Sequence, residues 1–106
     1  MGIEEIASGG ALQSAILKGI TLVDFNAPWC APCRLQEPIV RRLAERFHGK
    51  ATIASMNIDR SRDVARDFGI HSIPTLVIFK NGKEIQRLIG LQSESDLTKA
   101  LKKIMD

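Results

Sequence analysis

Two rhythms of apolar residues run along the chain. Ile20-Thr21-Leu22-Val23-Asp24-Phe25 and Thr75-Leu76-Val77-Ile78-Phe79 are apolar or β-branched at nearly every position. This is the pattern of strands covered on both faces. Ala51 to Ile58 reads as a further strand. Between these runs the apolar residues recur every three or four positions. That spacing predicts a helix over Ala11 to Leu17 and a longer one from Pro32 to Phe47, carried by Ile39, Val40, Leu43, Ala44 and Phe47 and stopped by Gly49. Pro38 lies inside the longer helix, where it removes an amide donor and is expected to bend the rod. Ser61 is placed to cap a short helix bearing Val64, Ala65 and Phe68 and closed by Gly69. Asn81-Gly82 favours a tight hairpin turn into Lys83 to Ile89. Ser93 then caps a last helix with Leu97, Leu101 and Ile104 on one face. The order of elements predicts an α/β fold with a central mixed β-sheet.

Length and composition narrow this to an ordinary globular chain. With 106 residues, 44% hydrophobic and 25% charged, a single domain over 1–106 is expected. No run approaches the roughly 20 apolar residues that would cross a bilayer, and the first residues lack a basic leader with a long apolar stretch, so no membrane association is expected and a cytoplasmic location is. The formal charge of +3 is spread along the chain, and there is no tyrosine for base stacking. Solvated surface charge is therefore the expected reading, and nucleic-acid binding is not.

The chemistry concentrates in Trp29-Cys30-Ala31-Pro32-Cys33, which holds both cysteines and follows directly on the first strong strand. Two cysteines provide no disulfide framework for a whole domain, so the pair reads as a working site rather than a staple. A zinc site would need two further ligands, and His48 and His71 fall on separate segments without paired spacing. No metal is expected.

Several further motifs stand in order around this pair. Val23-Asp24-Phe25 precedes it and Pro38 follows it. Asn57-Ile58-Asp59 closes the next strand, Gly69-Ile70-His71-Ser72-Ile73-Pro74-Thr75 leads into the strand ending Phe79-Lys80-Asn81-Gly82, and Gly90 lies just past the hairpin. In this series, from about Thr21 to Leu101, the chain resembles the thioredoxin family. The resemblance implies the thioredoxin fold, with helices on both faces of the sheet, and a thiol-disulfide oxidoreductase that reduces protein disulfides. Cys30, at the N-terminal end of a helix, is expected to be the nucleophile, because unpaired amides and the helix dipole favour a thiolate there. Cys33, one turn on, is expected to be the more buried and to resolve the mixed disulfide. Asp24 would be the buried acid that accepts a proton from Cys33 through water. The alternative for it is a strand-end residue facing solvent.

By the same resemblance, Ile73-Pro74 is the cis-proline loop facing the cysteines, against the alternative of an ordinary trans proline. Trp29, Ala31, Pro32, Ile73, Gly90 and Leu91 would form the apolar docking surface for disulfide-containing protein substrates. No bound cofactor is implied; reducing equivalents would come from a thioredoxin reductase-like partner, with the chain a monomer. Three positions depart from the family pattern. Ala31 replaces the glycine of the usual Trp-Cys-Gly-Pro-Cys box. Asn26 stands where a second tryptophan is frequent. Ser55 replaces a lysine that commonly neighbours the buried acid, so Asp24 is expected to titrate higher than in lysine-containing relatives. An oxidase or isomerase on the same fold is the second reading. A binding subunit without catalysis is the third.

Overall fold

Each apolar run becomes a strand and each helical rhythm a helix in the computed structural model, which describes residues 2–105. The order is β1 (Glu4–Glu5), α1 (Gly9–Ile16), β2 (Ile20–Asn26), α2 (Ala31–Arg46), β3 (Thr52–Asn57), α3 (Arg62–Asp67), β4 (Thr75–Lys80), β5 (Lys83–Ile89) and α4 (Glu94–Met105). The sheet runs β1-β3-β2-β4-β5. β2 pairs parallel with β3 and antiparallel with β4, which makes it the central strand of a mixed sheet.

Alternation along β2 divides the core between the two faces. Leu22 packs with Ile53, Leu76 and Ile78 beneath α2 and α4, whose Val40, Leu43, Leu97 and Leu101 are buried there. Val23 and Phe25 point the other way, with Ala54, Met56, Val77 and Phe79, against Leu12 and Ile16 of α1 and Val64 of α3. Helices therefore cover both faces. Asp24 shares the face of Leu22, on the α2 side, and its register partner on β3 is Ser55.

Local signals account for most boundaries. Asn81 at φ 51° and Gly82 at φ 87° turn β4 into β5, as an Asn-Gly pair does in a two-residue hairpin. Ser93 caps α4 by accepting from the amide of Asp96 at 3.1 Å. Ser61 departs from expectation. Its backbone carbonyl accepts from Ala65, but its hydroxyl makes no cap bond and instead lies 3.5 Å from the carbonyl of Ala7. β1 was not expected at all. It is two exposed glutamates held by backbone pairing to Ala54 and Ser55 of β3, so no side-chain rhythm marks it.

Candidate active site

The site forms where β2 ends and α2 begins. Cys30 is the N-cap of α2 in extended conformation, and its Sγ accepts from the amide of Cys33 at 3.2 Å. The two cysteines are joined as a disulfide. A backbone N–H directed at this sulfur, at the positive end of a 16-residue helix, is an environment that favours negative charge on Cys30 when the bond is reduced. Pro32 falls in the first turn of α2, where a missing amide leaves no helical bond unmade.

Both cysteines are 5% exposed. The expectation that Cys33 is the more buried of the two is therefore not met. The reason is the loop before β4: Ile73 packs on the cysteines, and its carbonyl oxygen lies 3.7 Å from Cys30 Sγ. The Ile73–Pro74 peptide is cis. The amide of Gly90 donates to the Pro74 carbonyl at 2.8 Å, which brings the Gly90–Leu91 segment beside this loop. Trp29 is 66% exposed, and its indole N–H donates to Asp59 Oδ2 at 2.8 Å. Ala31, Pro32 and Leu91 are exposed, while Ile73 and Gly90 are half-buried.

Asp24 lines one cleft together with Cys33. It is 3% exposed, which rules out the solvent-facing alternative. Its Oδ1 has no hydrogen-bond partner among the described residues. An open cleft of about 520 Å³ is lined by Asp24, Cys33, Ser55, Asn26, Glu37 and Glu5 among others. Burial pushes the Asp24 carboxyl up from 3.8 to about 7; the Asn26 side chain opposes the rise, and the negative charges of Glu37 and Glu5 add to it. No cluster of three or more His, Cys, Asp or Glu among the described residues could hold a metal ion. His48 and His71 lie outside the site, in the segments after α2 and before Ile73.

Two of the departures noted in the sequence touch one another. Asn26 Nδ2 donates to Ser55 Oγ at 2.7 Å and to the Asp24 carbonyl at 2.8 Å. A neutral pair thus stands beside the acid, with Ser55 at the position where the family resemblance implies a lysine. Sequence reading missed this link, along with Glu37 and Glu5, and met Asp59 only within the Asn57-Ile58-Asp59 motif, without its bond to Trp29. It also missed Gln36, a fully buried amide on α2. Gln36 left a signal, as the one polar residue on the buried stripe of α2 that runs from Cys33 through Val40 to Leu43 and Ala44.

The sequence matches the thioredoxin family profile, described as "Thioredoxin", over residues 6–103. The chain belongs to the thioredoxin family. It is 40% identical over 99 residues to the thioredoxin of Chlamydia muridarum, covering 93% of this chain and 96% of that one. It is 43% identical over 82 residues to thioredoxin 1 of a Nostoc species, covering 77% of each. A solved mutant thioredoxin from Halobacterium salinarum superposes with a TM-score of 0.92 at 29% identity, covering 99% of this chain and 92% of that chain. With the family shown and the Cys30–Cys33 disulfide in its site, the chain is a thioredoxin-type thiol-disulfide oxidoreductase acting as a disulfide reductase. No described helix is long and apolar enough to cross a membrane.

Proposed function

We propose that the chain reduces disulfides of protein substrates as a single monomeric domain over 1–106, and is itself recharged by a thioredoxin reductase-like partner. Cys30 as thiolate attacks a substrate sulfur; one Cys30–substrate bond forms, the substrate disulfide breaks, and the departing substrate thiolate takes a proton. Cys33, losing its proton to Asp24 by way of water in the cleft, then attacks Cys30. This breaks the Cys30–substrate bond, releases the second substrate sulfur as a thiolate that takes up a proton from Asp24 or the solvent, and leaves the Cys30–Cys33 disulfide, so two electrons have passed to the substrate. The reductase returns them, which makes the protein an electron carrier in the cytoplasm. Trp29, Ala31, Pro32, Ile73, Gly90 and Leu91 form the docking surface, with the Ile73 and Pro74 backbone offered to an extended segment in the manner of an added strand.

The observation carrying this reading is the placement of Cys30. Its sulfur lies at the α2 N-cap, beside the Cys33 amide and opposite the Ile73 carbonyl of the cis-proline loop. The deciding measurement is the reduction potential of the Cys30–Cys33 couple, equilibrated in defined dithiol buffers. A value near about −270 mV, that established for thioredoxin as a class, is expected for a reductant. A value between roughly −180 and −120 mV would make the protein an isomerase or oxidase instead.

A further inference from the structure

Gln36 is fully buried and takes no part in the exchange chemistry. A buried primary amide must find partners for both its donor and its acceptor. Here both go to a single residue. Gln36 Oε1 accepts from the Gln92 amide at 2.7 Å, and Gln36 Nε2 donates to the Gln92 carbonyl at 3.0 Å. Two bonds to one residue's backbone fix its orientation as well as its position.

Gln92 directly follows Gly90 and Leu91. Its own side chain turns back to donate to the carbonyls of Ile89 and Gly90, at 3.2 and 3.3 Å. The other end of the segment is tied by the Gly90 amide to the Pro74 carbonyl at 2.8 Å. The loop is therefore pinned on one side to the cis-proline loop. On the other it is pinned, through Gln36, to the helix that begins at Cys30. An aliphatic side chain at position 36 would fill the same space, but it would leave the Gln92 N–H and C=O without these partners.

We propose that Gln36 is a positioning residue for substrate docking, holding the Gly90–Gln92 loop in a fixed place relative to Cys30. The proposal rests on the docking surface assigned above. A loop ordered in advance spares the complex the entropy of ordering it on binding. The effect of releasing it falls on the affinity for a protein substrate more than on the sulfur exchange that follows.

The test compares wild type with Gln36→Leu in two measurements: amide hydrogen exchange at Gly90 and Gln92, and steady-state reduction of insulin disulfides with dithiothreitol as electron source. Expected are exchange at Gln92 at least about tenfold faster and a KM for insulin raised about tenfold, or about 1.4 kcal/mol, with kcat changed less than twofold. Unchanged exchange overturns the tie itself. Faster exchange with an unchanged KM overturns the docking role, and so does an equal loss of kcat and kcat/KM, which would put the effect on the cysteines. Gln36→Met, unbranched and of similar length, carries the same expectations should the leucine variant fail to fold. Wild type that reduces a small aromatic disulfide but not insulin would overturn the protein-substrate reading and the docking role with it. The exchange data would still decide the tie to Gln92.

Discussion

At the scale of single residues, Asp24 is the group whose surroundings most alter its chemistry. It is buried with one oxygen unpartnered among the described residues, shares a cleft with Glu37 and Glu5, and has the neutral Ser55 beside it in register. Ser55→Lys would place a cation next to the carboxyl, and its titration, followed by NMR, is expected to move down from about 7. An unmoved titration would mean that burial alone sets it. The same rise has a consequence for stability. Asp24 titrates at about 7 in the folded chain and near 3.8 when unfolded, so between those values the unfolded state gives up its proton first. The stability contributed by the neutral carboxyl is complete below about pH 4 and is lost as the pH rises through 7. A rise from 3.8 to about 7 corresponds to roughly 4 kcal/mol at most. Asp24→Asn is therefore expected to be more stable than wild type at pH 8, by a sizeable part of that figure, with no advantage at pH 4. Urea unfolding at the two pH values measures it, and equal stability at pH 8 would count against a strained carboxylate.

At the scale of elements, turns and caps decide how the strands meet. The β4–β5 hairpin depends on two consecutive residues with positive φ, and Gly82 carries the larger value, 87°. A Cβ added there would meet no atom of the described residues within 4 Å, so the cost of Gly82→Ala comes from the backbone. About 1–2 kcal/mol is expected, read as a lower urea midpoint with an unchanged slope. No loss would mean that the hairpin can adopt another turn. This element was legible beforehand because Asn-Gly is a local signal. Ser61 was legible only in part: its position at the start of α3 was plain, but its hydroxyl turns to Ala7, 54 residues away, a partner no local pattern displays.

At the scale of the molecule, α4 shows which forces hold the layers together. Leu97 and Leu101 are fully buried against the sheet and α2, whereas Glu94 bridges Arg42 at 2.7 Å and Arg46 at 3.6 Å in partly exposed pairs. Leu101→Ala is expected to cost about 2–5 kcal/mol, since it removes transfer energy and leaves a cavity. Glu94→Gln is expected to cost less than about 1 kcal/mol, and its effect should shrink in high salt. Thermal or urea unfolding of both variants gives the comparison. A Glu94 variant that loses more than the Leu101 variant would reverse this ranking.

What the sequence determined by itself was everything governed by neighbours in the chain. The apolar runs made strands, and the three-to-four spacing made helices. Asn81-Gly82 made a turn, and the Cys30–Cys33 spacing brought two thiols within bonding distance. What only the tertiary structure decided were meetings between residues far apart in sequence. Backbone pairing alone recruited Glu4 and Glu5 to the sheet edge. The loop at Ile73 covered Cys30 as deeply as Cys33. Asn26 reached Ser55 across 29 positions, and Gln36 reached Gln92 across 56. A buried polar group takes its partner from whichever backbone or side chain the packed layers bring beside it. Periodicity reveals that such a group is buried, but not what it will bond.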